Sequence, residues 1–131
     1  MNQSFKFRKS ERLCSQKEIQ ALFEDGHAFY SFPFRVVWKQ STKPADYPAQ
    51  VVISVPKKKF KKAVSRNLIR RRIKEGYRLN KQVLYDHLKQ TDLKLVFMLM
   101  YTHNEIMDYK DIERKISALM IRFQKEVMAK A

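Results

Sequence analysis

In the last quarter of the chain the apolar positions Ile112, Ile116, Leu119, Met120, Phe123 and Val127 recur at spacings of three and four. That period is helical, so the stripe predicts a long helix with one face on a core, capped by Asp108. A shorter helix is predicted from about Gln16 to Glu24. There Ser15-Gln16-Lys17-Glu18 has the capping-box form, Ile19, Leu22 and Phe23 follow at helical spacing, and Gly26 ends the run. Phe34 to Lys39 and Gln50 to Val55 are rich in β-branched and aromatic residues. They read as strands joined through Lys43-Pro44-Ala45-Asp46-Tyr47-Pro48, and Pro56 ends the second. Leu93 to Tyr101 is nearly continuously apolar, as expected of a strand buried on both faces or in mid-sheet. A further helix should run from about Ala63 to Leu79 or slightly beyond.

The order helix, strands, helix, strand, helix predicts an α/β two-layer sandwich in which helices cover a sheet. No repeat or low-complexity linker divides residues 1–131, so one domain is expected, with residues 1–6 and 129–131 as flexible ends.

Charge changes the picture. The net charge is +15 in a chain that is 44% hydrophobic with two glycines and four prolines, so the charge sits on a folded body. Between Lys57 and Lys74, ten of eighteen residues are Lys or Arg and none is acidic. Like charges at this density repel one another unless an anionic partner neutralises them. A solvated tail would not need the interleaved Phe60, Ala63, Val64, Leu68, Ile69 and Ile73. The longest apolar run is too short to span a membrane, and no signal peptide is recognisable. The single cysteine, Cys14, excludes an internal disulfide, fits a reducing cytoplasm and is expected to be a small core residue.

On a helical wheel of about 100° per residue with Val64 at zero, Arg66, Arg70, Lys74, Asn67, Arg78 and Arg71 fall between roughly 200° and 340°. Ile69 and Ile73 fall beside them at roughly 140° to 180°, facing the sheet, and Arg72 lies off the stripe. Arginine offers a planar fork for phosphate or base, whereas the basic residues from Lys57 to Lys62 are all lysines, hydrated point charges on flexible stems. The helix therefore suits specific contact and the lysine loop electrostatic approach. Asn67 can both donate and accept, to a 2′-hydroxyl, a base edge or a helical neighbour.

The run Ala63-Val64-Ser65-Arg66-Asn67-Leu68-Ile69-Arg70-Arg71, preceded by Val55-Pro56-Lys57-Lys58-Lys59, resembles the RNR motif of the bacterial ribonuclease P protein subunit. Arg12-Leu13, Phe23 before Gly26 and the aromatic strand at Phe34 agree with it, so the resemblance extends from about Phe7 to Val127. It implies an α+β two-layer sandwich, a mostly antiparallel sheet with three helices, related to the second domain of ribosomal protein S5. The resemblance also implies a left-handed βαβ crossover, contrary to the usual rule. It implies a protein that binds a large catalytic RNA, in a complex that removes the 5′ leader from precursor tRNA, with Mg²⁺ and the active site on the RNA.

Carried over by position, Arg66, Asn67, Arg70, Arg71 and Lys74 are expected to bind the RNA subunit, assisted by Lys57, Lys58, Lys59, Lys61 and Lys62. Phe23 and Phe34, with Ile19, Arg35, Trp38 and Tyr30, are expected in a cleft that holds the single-stranded leader, where aromatic faces accept any base. Lys74 stands where the motif commonly has Arg, and Ile19 where some members have an aromatic residue. No catalytic residue and no protein metal site is expected.

A self-sufficient metal-dependent nuclease would need clustered carboxylates. The nearest approach, Asp108, Asp111 and Glu113, is explained by capping and the helix dipole. His27, His87 and His103 lack ligand spacing, and Gly26 and Gly76 cannot form a phosphate loop. Duplex DNA reading is disfavoured because no helix-turn-helix partner precedes Ala63. The alternative that composition leaves open is a non-catalytic ribosomal or rRNA-binding protein.

Overall fold

The structure, a computed structural model, describes residues 6–43 and 45–130, so Pro44 of the expected connecting loop lies outside it. A 3-10 turn at Lys9–Glu11 is followed by α1 (Gln16–Asp25), β1 (His27–Ser31), β2 (Phe34–Gln40) and β3 (Ala49–Ser54). Then come α2 (Ala63–Asn80), α3 (Gln82–Gln90), β4 (Leu95–Tyr101) and α4 (Tyr109–Lys130). The α+β class holds, but four α-helices are present among the described residues where three are expected, and β1 is an added strand. β1 is hard to read because only Phe29 of its five residues is buried, too few for a period. α3 is hidden because Lys81, at φ −66° and ψ −23°, joins it to α2 without a glycine or proline to mark the break. At the ends, residues 1–5 and 131 lie outside the described residues; the Lys6 carbonyl is held by Lys81, and Ala129 and Lys130 continue α4.

The sheet order is β1-β2-β4-β3. β1–β2 and β2–β4 are antiparallel, and β3–β4 is parallel, so the link from β3 through α2 and α3 to β4 is a crossover. Phe34, Val36 and Trp38 of β2 share a face with Phe29, Val51, Phe97 and Leu99, and α2, α3 and α4 close over it with Ile73, Leu84, Ile116 and Phe123. The alternate positions Val37, Val52, Val96, Met98 and Met100 face the other way and meet α1 through Ile19 and Leu22. One face is thus roofed by three helices and the other by one short helix.

Both glycines stand where other chain segments approach closely. A Cβ at Gly76 in α2 would lie 2.9 Å from Ile116 Cδ1 and 3.4 Å from Glu113 Cα, where α4 crosses. At Gly26 it would lie 2.8 Å from Val37 Cγ1 and against the Leu22 carbonyl, where α1 ends on the sheet. Ser15 caps α1 by accepting from the Glu18 N–H at 3.4 Å. α4 starts directly after Asp108, whose carbonyl accepts from the Ile112 N–H.

The N-terminal segment docks along the outer edge of β3, where Arg12 bridges Val51 and the Leu13 N–H donates to the Val51 carbonyl at 2.9 Å. Its anchor is a buried ion pair. Glu11 is 0% and Lys81 3% exposed, and Lys81 Nζ donates to Glu11 Oε1 and to the Lys6 carbonyl. The Tyr85 hydroxyl donates to Glu11 at 2.6 Å and the Arg8 N–H at 2.7 Å, so the carboxylate is well satisfied. Burial pushes the Tyr85 hydroxyl far above its ordinary pKa, so it stays a donor. No described helix is long and apolar enough to cross a membrane.

Candidate nucleic-acid interface

α2 turns Ile69, Ile73 and Tyr77 inward, all fully buried, and the outward stripe is narrower than the wheel predicts. Arg66 sits at the margin of the buried face and its Nη1 donates to the Phe60 and Lys61 carbonyls, both at 2.8 Å. It fastens the lysine loop onto the start of the helix, where no side chain caps the free N–H groups. Arg70 Nη1 donates to Asn67 Oδ1 at 3.1 Å, which aligns two motif side chains on the surface. Arg71 and Lys74 are exposed beside them. Arg72, off the stripe, donates to the Met107 carbonyl at 2.6 Å and ties α2 to the segment before α4. Arg78 is paired with Glu75 at 2.6 Å, and its hydrogen bond holds the Glu75 carboxyl below its usual range.

The loop from Lys57 to Lys62 is pinned by Phe60, which is buried and leans on Tyr101 with ring centroids 6.0 Å apart. Lys57, Lys58, Lys61 and Lys62 are exposed. Lys59 differs: its Nζ donates to the Thr102 carbonyl and to Asn104 Oδ1, clipping the loop to the end of β4. Five lysines and the α2 stripe therefore form one electropositive surface held in place by the inward Phe60, Ile69 and Ile73.

On and around the sheet face under α1 stand some of the residues expected in the cleft. Phe23 projects from α1 with 60% of its surface exposed, Ile19 packs half-buried at the base of α1, and Arg35 is exposed on β2. Arg35 lies opposite Tyr30 in β1 and Met100 in β4, which makes a row of cation, aromatic ring and thioether. Phe34 and Trp38 do not belong here. Strand alternation sends them to the other face, where they are 0% and 2% exposed beneath the helices, so their rings are core and unavailable to a ligand. Cys14 also departs from expectation: it is exposed, because Leu13 takes the inward position on that segment.

Beside β3, a groove of about 180 Å³ joins the two surfaces. The N-terminal segment lines it with Phe7, Arg12 and Cys14, β3 with Val51, Val52 and Ile53, and α2 with Arg70 and Lys74. Arg12 lies 5.8 Å from the Phe7 ring in a cation–π contact. Sequence reasoning misses Phe7 and Arg12 as lining residues because their position depends on the pairing of Glu11 with Lys81, seventy residues away. Around the groove the arrangement supplies cations, aromatic faces and hydrogen-bond donors. Among the described residues no group of three His, Cys, Asp or Glu side chains converges on a metal position, and Asp111 pairs with Arg114 at 3.3 Å.

Comparison with known proteins identifies the family and the fold. The family model described as Ribonuclease P matches residues 7–124. A ribonuclease P protein component of Porphyromonas gingivalis (strain ATCC 33277) is 34% identical over 128 residues, covering 98% of this chain and 93% of the relative. One from Clostridioides difficile (strain 630) is 31% identical over 116 residues, covering 88% and 94%. Among solved structures, the RNase P protein of Staphylococcus aureus superposes with a TM-score of 0.69 at 22% identity, covering 89% of this chain and 97% of that one. The Thermotoga maritima protein gives 0.67 at 23% identity, covering 86% and 96%. The two structures share the fold.

Proposed function

The chain belongs to the ribonuclease P protein family, and from that premise we propose that it is the protein partner of a catalytic RNA that removes the 5′ leader of precursor tRNA in the cytoplasm. Its part is binding. Asn67, Arg70, Arg71 and Lys74, with Lys57, Lys58, Lys61 and Lys62, contact the RNA subunit, while Arg66 and Lys59 hold the shape of that surface. Phe23, Ile19, Tyr30 and Arg35 receive the single-stranded leader around the sheet face under α1. Stacking suits leaders of varied sequence, because every base offers a π-face. The cations offset phosphate repulsion between the two RNAs and so lower the Mg²⁺ concentration required. No step of bond cleavage is assigned to this chain, and Mg²⁺ is held mainly by the RNA.

The observation that carries this reading is the mounting of the basic stripe on a helix whose inner residues Ile69, Ile73 and Tyr77 are fully buried, with Phe23, Tyr30 and Arg35 left exposed around the sheet face that α1 alone covers. The test is cleavage of a 5′-leader precursor tRNA by a bacterial ribonuclease P RNA at low Mg²⁺, with and without the protein. Cleavage only with RNA and protein together is expected. Cleavage by the protein alone would make it a nuclease, and binding without stimulation would favour the rRNA-binding alternative.

A further inference from the structure

The tip of the β1–β2 hairpin carries an aromatic cluster that the proposed roles leave unused. Phe32 keeps 42% of its surface exposed in the two-residue turn between Ser31 and Phe34. It is not loose. The His103 ring meets it edge-on, with centroids 5.2 Å apart and planes at 71°. Thr102 fixes the turn from behind, its N–H and its hydroxyl each donating to the Pro33 carbonyl at 2.8 Å.

One cation meets this ring and a second lies against the adjoining strand. Lys115 Nζ of α4 lies 5.8 Å from the Phe32 centroid, and Arg122 donates to the Tyr30 carbonyl while its guanidinium covers Phe29 at 5.2 Å. Glu105, 4.0 Å from His103, is the acidic neighbour, and its side chain is 85% exposed. The cluster is also continuous with the lysine loop. Lys59 donates to the Thr102 carbonyl and to Asn104, so Thr102 links the loop to the hairpin turn.

We propose that Phe32, held by His103 with Lys115 against its ring and Arg122 against the adjoining strand, is a stacking platform for an unpaired nucleotide of the RNA subunit, extending the basic surface around the end of the sheet. A fixed exposed ring beside cations matches the chemistry of single-stranded RNA, in which a base stacks and its neighbouring phosphates meet ammonium and guanidinium groups. The direct tie of Lys59 to Thr102 joins the cluster to the lysine loop and selects the RNA subunit as occupant; the leader, whose proposed residue Tyr30 also accepts from the Thr102 hydroxyl at 3.4 Å, is the other outcome of the test. The inference rests on the functional reading above.

The test is equilibrium binding of the full-length protein to ribonuclease P RNA, with wild type, Phe32→Ala and Phe32→Trp compared after circular dichroism has shown each to be folded. Phe32→Ala is expected to weaken binding about tenfold, the value of one base–aromatic stack. Phe32→Trp should restore affinity, and its indole emission should be quenched on adding the RNA. Unchanged affinity in Phe32→Ala would overturn the platform, as would a loss seen only with leader-bearing precursor tRNA. If the wild-type protein does not bind the RNA subunit at all, the functional reading falls as well, an outcome distinct from intact binding that ignores residue 32.

Discussion

On one face of the sheet Phe34, Val36, Trp38, Phe97 and Leu99 lie under α2, α3 and α4; on the other, Val37, Val96, Met98 and Met100 meet only α1. The same strands supply both sets, at alternate positions, so a shift of one residue exchanges a core side chain for a surface one. The first face accounts for most of the buried apolar surface and hence most of the stability. The second keeps enough contact to hold α1 and leaves Arg35 and Tyr30 to solvent. α2 works on both sides of this division, since its inner residues complete the core and its outer ones carry the charge.

The division breaks most visibly at Phe34. Phe34→Ala should cost about 3 to 5 kcal/mol of folding stability, measured by denaturant unfolding, because it empties a fully buried site. At matched folded protein it should leave RNA affinity unchanged; a stable variant with selective loss of leader binding would return Phe34 to the cleft. Next is the buried anchor. Lys81→Met leaves Glu11 charged and buried, and should cost roughly 3 kcal/mol. Joint replacement of Glu11 and Lys81 by apolar residues should recover much of that loss, which a double-mutant cycle would detect. Both variants should loosen the Phe7–Arg12 segment, seen as faster amide exchange at Leu13. A smaller effect is expected on the basic stripe, where Arg71→Ala with Lys74→Ala should barely alter stability but should flatten the dependence of log K on log salt by about one per lost phosphate contact. An unchanged slope would remove that pair from the RNA interface.

The long helices and β4 are legible from periodicity because their buried faces are continuous: Ile112 to Val127 and Leu95 to Tyr101 face the core as the pattern implies. The basic helix is legible because ten cations lie within one run of sequence. Strand polarity at β2 is not, since Phe34-Arg35-Val36-Val37-Trp38 has apolar residues on both faces and only the roofing helices decide which face is core. That is why Phe34 and Trp38 read as cleft aromatics from motif position alone. Arg66 and Lys59 read as free cations, because their acceptors are backbone carbonyls, which sequence does not display. The groove lining formed by Phe7 and Arg12 depends on a long-range ion pair that no local signal marks.

The most direct test of the two-surface account is the affinity of the assembled protein–RNA complex for precursor tRNA and for mature tRNA, compared between wild type and Phe23→Ala. Phe23 is exposed on α1, so the variant should fold as the wild type does, and it should lose about 1 to 3 kcal/mol of affinity for the leader-bearing RNA alone. Equal losses on the two RNAs, or none on either, would contradict the assignment of the face under α1 to the leader.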